Sequence, residues 1–354
     1  MSARSEIDLD HRTLRFVVPD SIDDPGRPSG GNVYDRRVCA ELDALGWSVR
    51  MRPVPGAWPT PTAADVAGLG HVLDEAPAGA CVLIDGLVAS AAPELVTRYA
   101  ATLAIAVLVH LPLGVLAPGR RPSEAAMLRR AAVVTTSAWT RNWLLSEYGL
   151  VPESVTVAVP GTDLGALAPG TPTGGALLCV GAVTPVKGQD LLVAALARLV
   201  DTGWRCTIAG SLDSDPAFVR LLEKEAADAG LADRVVLTGA LGGAALDTAY
   251  RRADVLVLSS RAETYGMAVT EALAHGVPVV AMATGGVAEA LGAASDGAVP
   301  GILVAPGDVG ELAQALADWL RDEGLRDRLR TAARDRRGTL PTWRDTATRI
   351  AAAL

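Results

Sequence analysis

Lysine is all but missing from this chain: of 32 basic residues only Lys187 and Lys224 are lysines, the rest being arginine. That bias reflects coding composition more than chemistry, and it makes each retained lysine more informative. There is no basic excess. A net charge of -8 argues against a general nucleic-acid binder, which would carry a basic face. The four cysteines, Cys39, Cys81, Cys179 and Cys206, follow no metal-ligand spacing and read as buried free thiols in a reducing compartment. No apolar run is long enough to cross a membrane. The longest, Leu103 to Pro118, is shorter than the ~20 residues a spanning helix needs and is broken by His110, Pro112 and Gly114. The opening "MSARSEIDLDHR" has no apolar core of the kind a secretory signal requires, so a cytoplasmic location is expected. No Asp-x-Asp stands at the end of a strand-like run, because "DSD" at Asp213 to Asp215 opens a helix-like one. No bound metal is expected on that ground, and no cofactor is expected either.

What is present is an alternation of short apolar runs with amphipathic stretches over 354 residues, too many for one ordinary core. Runs begin at Leu14, Ala80, Leu103, Ala132 and Val155, and again at Ala176, Trp204, Arg234, Asp254, Pro278 and Gly301. Strands apolar on both faces and separated by helices predict α/β architecture with parallel sheets covered on both sides. Between the two series lies "PGTDLGALAPGTPTGG", Pro160 to Gly175, which reads as a linker. We therefore expect two Rossmann-like domains, residues 1–165 and 172–340, with a C-terminal helix over 341–354 packing back on the first. In such sheets ligands sit beyond the carboxyl ends of the strands, so a cleft between two facing sheets is the natural site.

At one such strand end stands "SSRAETYGMAVTEALAHGVPVV", with Glu263 and Glu271 eight positions apart. A helix beginning near Gly266 would place Glu271 within about 10 Å of its start, at ~1.5 Å per residue. The amides of Thr264, Tyr265, Gly266 and Met267 would then be free for an anion. Two carboxylates flanking an anion site suit vicinal hydroxyls, one set on a ribose and one on a sugar, with a diphosphate between. On spacing alone, ordinary capping residues explain the pair equally well. Lys187, at the start of the helix after the run from Ala176, is a compact charge suited to diphosphate, or else a solvated first-turn residue. Gly30 and Gly31 follow the first strand and permit close approach to the backbone, although no complete glycine triplet of a dinucleotide fingerprint follows. His110 and Asp85 each end a strand; Asp85 can bind acceptor hydroxyls. His275, near the end of the helix carrying Glu271, is assigned to terminal carbonyls. The arginine-rich stretch from Trp319 is interleaved with acids and reads as a solvated face, with no membrane or nucleic-acid role expected.

The run "RAETYGMAVTEALAHGVPVVAMATGGVAEAL" resembles the signature of family 4 retaining glycosyltransferases with the GT-B fold, and Thr284, Gly285, Gly286 and Glu289 fit the same run. The resemblance implies that Glu263 contacts the donor sugar and Glu271 the ribose. It implies that the segment Gly239, Ala240, Leu241 meets the nucleotide base through its backbone, and that Gly30 and Gly31 lie near the donor phosphate. It also implies that His110 lines the acceptor side of the cleft, so that Glu263, Lys187 and His110 are the candidate catalytic residues. The chain departs from the family at Ala182, where an arginine is usual five residues before the lysine; Arg261 is a candidate substitute by its nearness to Glu263. The expected activity is metal-independent transfer of a sugar from a nucleotide diphosphate to an acceptor hydroxyl with retention. The alternatives are an epimerase or phosphorylase on the same fold, or a non-catalytic subunit that only binds nucleotide-sugar.

Overall fold

The computed structural model describes residues 13–24, 26 and 28–354; the expectation placed on the N-terminal dozen residues lies outside them. Two six-stranded, all-parallel sheets form, one per half of the chain. The first comprises β1 (Thr13–Pro19), β2 (Ser48–Val54), β3 (Cys81–Asp85), β4 (Ala104–Val109), β5 (Ala132–Thr135) and β6 (Val155–Val157), in the order β2-β1-β3-β4-β5-β6. The second comprises β7 (Ala176–Val180), β8 (Arg205–Ala209), β9 (Val235–Gly239), β10 (Val255–Leu258), β11 (Val279–Met282) and β12 (Gly301–Val304), in the order β12-β11-β10-β7-β8-β9.

Eleven of these strands coincide with the apolar runs. The twelfth, β2, has the sequence SVRMRPV and was not among them. It is an edge strand with one neighbour, where arginines on an open side cost nothing and blunt unwanted pairing. The central strands are buried on both faces: Phe16, Leu83 and Leu108 pack with Tyr34, Val38 and Leu42 on one side of the first sheet. Val17, Ile84 and Val107 pack on the other.

Residues 158–175 carry no helix or strand. The last helix, Trp343–Ala351, returns to the first sheet, burying Trp343, Ala347 and Ile350 in the same cluster as Leu14 and Phe16. Its capping box, Thr342 with Asp345, fixes where it begins. Among the described residues no helix is long and apolar enough to cross a membrane.

The strand orders position the site. In each sheet the first strand lies inside the sheet, so the connections leaving it and its neighbour run to opposite sides and open a crevice. In the second sheet that pair is β7 and β10. In the first it is β1 and β3, with β4 next.

Candidate functional site

A cavity of about 370 Å³ lies between the carboxyl ends of the two sheets, in the size range of small-molecule sites. Gly30, Gly31 and His110 line it from the first half. Lys187, the segment from Glu263 to Met267, and Glu271 line it from the second.

Lys187 and Glu263 meet because their loops follow the adjacent strands β7 and β10. Lys187 Nζ donates to Glu263 Oε2 at 2.6 Å, with the Ser260 hydroxyl at 3.4 Å from the same oxygen. Lys187 ends a short 3₁₀ turn, Pro185–Lys187, and the helix proper begins at Gln189. The helix Met267–Ala274 is preceded by Gly266 at φ 99°, a left-handed conformation that only glycine adopts cheaply. Its first backbone bond runs from the Val269 amide to the Gly266 carbonyl, so the preceding amides lie before the intrahelical ladder. Gly285 (φ 56°) lets the next loop close on this segment: a Cβ there would collide with the Glu263 carbonyl, which accepts from the Gly286 amide at 3.1 Å.

Glu271 stands at the far end of the cavity. Its Oε2 accepts from the Tyr250 hydroxyl at 2.6 Å. Tyr250 stacks on His275 at 5.1 Å between centroids, and His275 bonds the Glu271 carbonyl (2.8 Å) and Asp247 (2.9 Å). Burial raises the Glu271 pKa, against the Tyr250 bond and the His275 charge, and pushes the Tyr250 hydroxyl well up. Tyr250 was not singled out in the sequence. It lies in the helix after β9, remote along the chain from the motif.

His110 faces the cavity from the end of β4, backed by two carboxylates, one in the helix after β1 and one at the last residue of β3. Its Nε2 lies 2.8 Å from Asp35 Oδ1 and 3.6 Å from Asp85 Oδ2. Tyr34 packs edge-on against the ring at 5.1 Å. Asp35, missed in the sequence because it looks like any polar position of an amphipathic helix, is 1% exposed. Burial opposes charge on His110, but the two carboxylates outweigh it and raise its pKa. Burial, then the Asp35 charge, pushes Asp85 up to about 7. Both shifts have the same sign for stability. The native state holds these protons where the unfolded chain has released them, so their contribution falls as pH rises through neutrality. Thermal unfolding scans should show Tm declining between about pH 5 and pH 8 through this cluster. In Asp35→Asn the His110 pKa should fall, read from the imidazole proton resonance in an NMR titration, and the decline should flatten. The three side chains offer ligand atoms within 4.8 Å of one another. All three are already engaged in hydrogen bonds with one another or with the Leu87 amide.

The remaining sequence candidates divide. Thr264, Tyr265, Gly266, Met267 and Leu241 line the cavity, whereas Gly239 and Ala240 do not; the Gly239 carbonyl accepts from the Gly210 amide at 3.0 Å. Asp85 is turned inward, accepting from the Leu87 amide at 2.6 Å, and does not line the cavity. Arg261 is committed elsewhere. It makes a bidentate pair with Asp190 (2.8 and 2.6 Å) and donates to the Pro185 carbonyl at 2.7 Å, bracing the Lys187 turn from behind. A guanidinium so engaged does not face the cavity that Ala182 lines.

Glu289 serves another purpose. Its carboxylate accepts from the Ala138 amide (3.0 and 2.8 Å) and the Trp139 amide (3.3 Å), capping a helix of the other half, Ala138–Tyr148. An acid on free amides at a helix N-terminus is stabilising. Glu289→Ala should cost about 1 kcal/mol and loosen the two halves, read as a lower Tm and a larger radius of gyration by X-ray scattering.

Against known proteins, residues 172–336 match the family model described as glycosyl transferases group 1. The chain is 33% identical over 252 residues to a D-inositol 3-phosphate glycosyltransferase of Frankia alni, covering 64% of this chain and 61% of that protein. It is 33% identical over 235 residues to the protein of the same name from Acidothermus cellulolyticus, covering 60% and 51%. The chain thus spans about half to three fifths of the length of these curated relatives. Among solved structures, sucrose-phosphate synthase from Thermosynechococcus elongatus superposes with a TM-score of 0.78 at 21% identity, over 96% of this chain and 98% of that one. Anabaena HepE in complex with UDP and glucose does so with 0.77 at 19%, over 97% and 99%. These likenesses establish the GT-B fold.

Proposed function

We propose, on the premise that this chain belongs through its second half to the group 1 glycosyl transferases, that it transfers a sugar from a nucleotide-diphosphate sugar to an acceptor hydroxyl with retention and without a metal. The observation that carries the reading is the flanking of the Thr264–Met267 amides by two fixed acids. Lys187 braces Glu263 on one side and Tyr250 braces Glu271 on the other, all around one cavity.

In this reading Glu271 takes the ribose hydroxyls and Glu263 the sugar hydroxyls. The diphosphate lies on the amides between them with Lys187 beside it. Lys187 and the helix end stabilise the charge that grows on the leaving diphosphate, the role a metal fills elsewhere. The bond from the anomeric carbon to the phosphate oxygen breaks and the bond to the acceptor oxygen forms on the same face. The acceptor proton passes to the departing phosphate. His110, held by Asp35, presents its ring to the sugar from the opposite wall. HepE was solved with UDP and with UDP-glucose, which supports a nucleotide-sugar here without fixing its base.

The test is a thermal-shift panel of uridine, guanosine, thymidine and adenosine diphosphates and their sugars, since a native-state ligand at 100 times its Kd adds about 2.7 kcal/mol. One nucleotide series should raise Tm by several degrees, more with the sugar attached. No shift with any member overturns the reading. Binding without turnover by any acceptor would favour a binding subunit, with Ala182 as its structural basis.

A further inference from the structure

Beside the main cavity lies a second, of about 280 Å³, sharing Leu111, Ala262, Glu263 and Thr264 with it. Its wall from the first half of the chain includes Val115, in the short helix Leu113–Leu116 after β4, and Trp139, near the start of the helix after β5; Pro306 lines it from the second half. Exposed aliphatic side chains continue along the same end of the first sheet. Val33 is 42% exposed, Leu87 36% and Leu116 50%, each in the segment following a strand of that sheet. Just after β5, Thr136 lines the main cavity; it is 4% exposed, and its hydroxyl has no hydrogen-bond partner among the described residues. A buried, unpartnered hydroxyl is costly unless a ligand satisfies it.

Charge is the deciding feature. Among the described residues lining the two cavities, the lysine and arginine side chains are Lys187 and Arg261, and His110 lines the main cavity but not the second. The lysine is paired with Glu263 and the arginine doubly paired with Asp190. A phosphate brought into the second cavity would meet no free cation there and would lie beside the Glu263 carboxylate.

We infer that this second cavity holds the body of the acceptor, and that the acceptor is an uncharged alcohol with an aliphatic or aromatic body rather than a phosphorylated polyol. Its body packs on Leu111, Val115 and Trp139, and a hydroxyl of it engages Thr136. The inference rests on the proposed function and deepens it. It also separates this chain from the relatives whose names specify D-inositol 3-phosphate.

The experiment uses the full chain with the nucleotide-sugar that gives the largest thermal shift. It compares benzyl alcohol, n-octanol, myo-inositol and D-inositol 3-phosphate as acceptors, by product mass and by calorimetric binding in the presence of the nucleotide diphosphate. The expected result is transfer to, or binding of, the two apolar alcohols at least tenfold better than to either inositol. Trp139→Ala should weaken that preference about tenfold, as should Thr136→Val, which keeps the shape and removes the hydroxyl. Trp139→Ala should leave nucleotide-diphosphate affinity unchanged. Preference for inositol 3-phosphate overturns the inference while leaving the glycosyltransferase reading intact, as does the absence of any Trp139-dependent handling of apolar alcohols. Loss of all nucleotide-sugar binding by the parent protein would instead overturn both.

Discussion

Lys187→Ala should lower kcat/KM for sugar transfer by about 10²–10³, in the range seen when one preorganised donor to a developing charge is removed. Two effects add. The leaving diphosphate loses the one lysine or arginine among the described residues lining the main cavity, and Glu263 loses the partner that holds it 2.6 Å away. An unpaired carboxylate then stands beside an anionic leaving group, which raises the barrier further. Affinity for the nucleotide diphosphate should fall less than turnover does, because charge on the leaving group is largest in the transition state. Steady-state kinetics with a nucleotide-binding isotherm on the same preparation checks this. A kcat/KM within twofold of the parent would remove Lys187 from the mechanism. Arg261 gives no rescue, since its guanidinium is occupied by Asp190 and the Pro185 carbonyl.

The second large effect is on binding. Glu271→Ala should weaken nucleotide affinity about 10–100-fold, because a hydrogen bond to a charged acceptor is worth about 1.5–3 kcal/mol and each 1.4 kcal/mol is tenfold. Burial already raises the Glu271 pKa, so the folded protein bears a cost for this carboxylate and its removal should leave Tm little changed. That separates the variant from one that merely unfolds. Tyr250→Phe, which removes only the hydroxyl steadying Glu271, should weaken binding in the same direction by a smaller factor. Equal affinity in all three proteins, by calorimetry, would end the assignment of Glu271 to the nucleotide.

Much of this site was legible in the chain because its chemistry is local. The amides from Thr264 to Met267, the glycine that turns them and the two flanking acids all lie in one strand-to-helix segment. Their spacing therefore nearly dictates their geometry. The apolar runs were legible for a similar reason: a central parallel strand is dry on both faces and leaves no room for alternation. Strand β2 escaped because an edge position relaxes that demand, as its arginines show.

The rest depended on distance in sequence. Asp35, Asp85 and His110 come from the carboxyl ends of three different strands or the segments after them and meet only because β1, β3 and β4 are neighbours in the sheet. Tyr250 reaches Glu271, and Glu289 reaches the amides of Ala138 and Trp139, by the same kind of juxtaposition. Arg261 shows the reverse case. Nearness to Glu263 along the chain made it a candidate, and the packing of the Lys187 turn gave its guanidinium to Asp190. By itself the sequence determined two parallel-sheet units and one strand-to-helix segment flanked by two acids, since these follow from periodicity and local backbone geometry. Which charges are neutralised, which acid is paired and which hydroxyl is left without a partner were decided by tertiary structure, because electrostatics acts through space and takes no account of position along the chain.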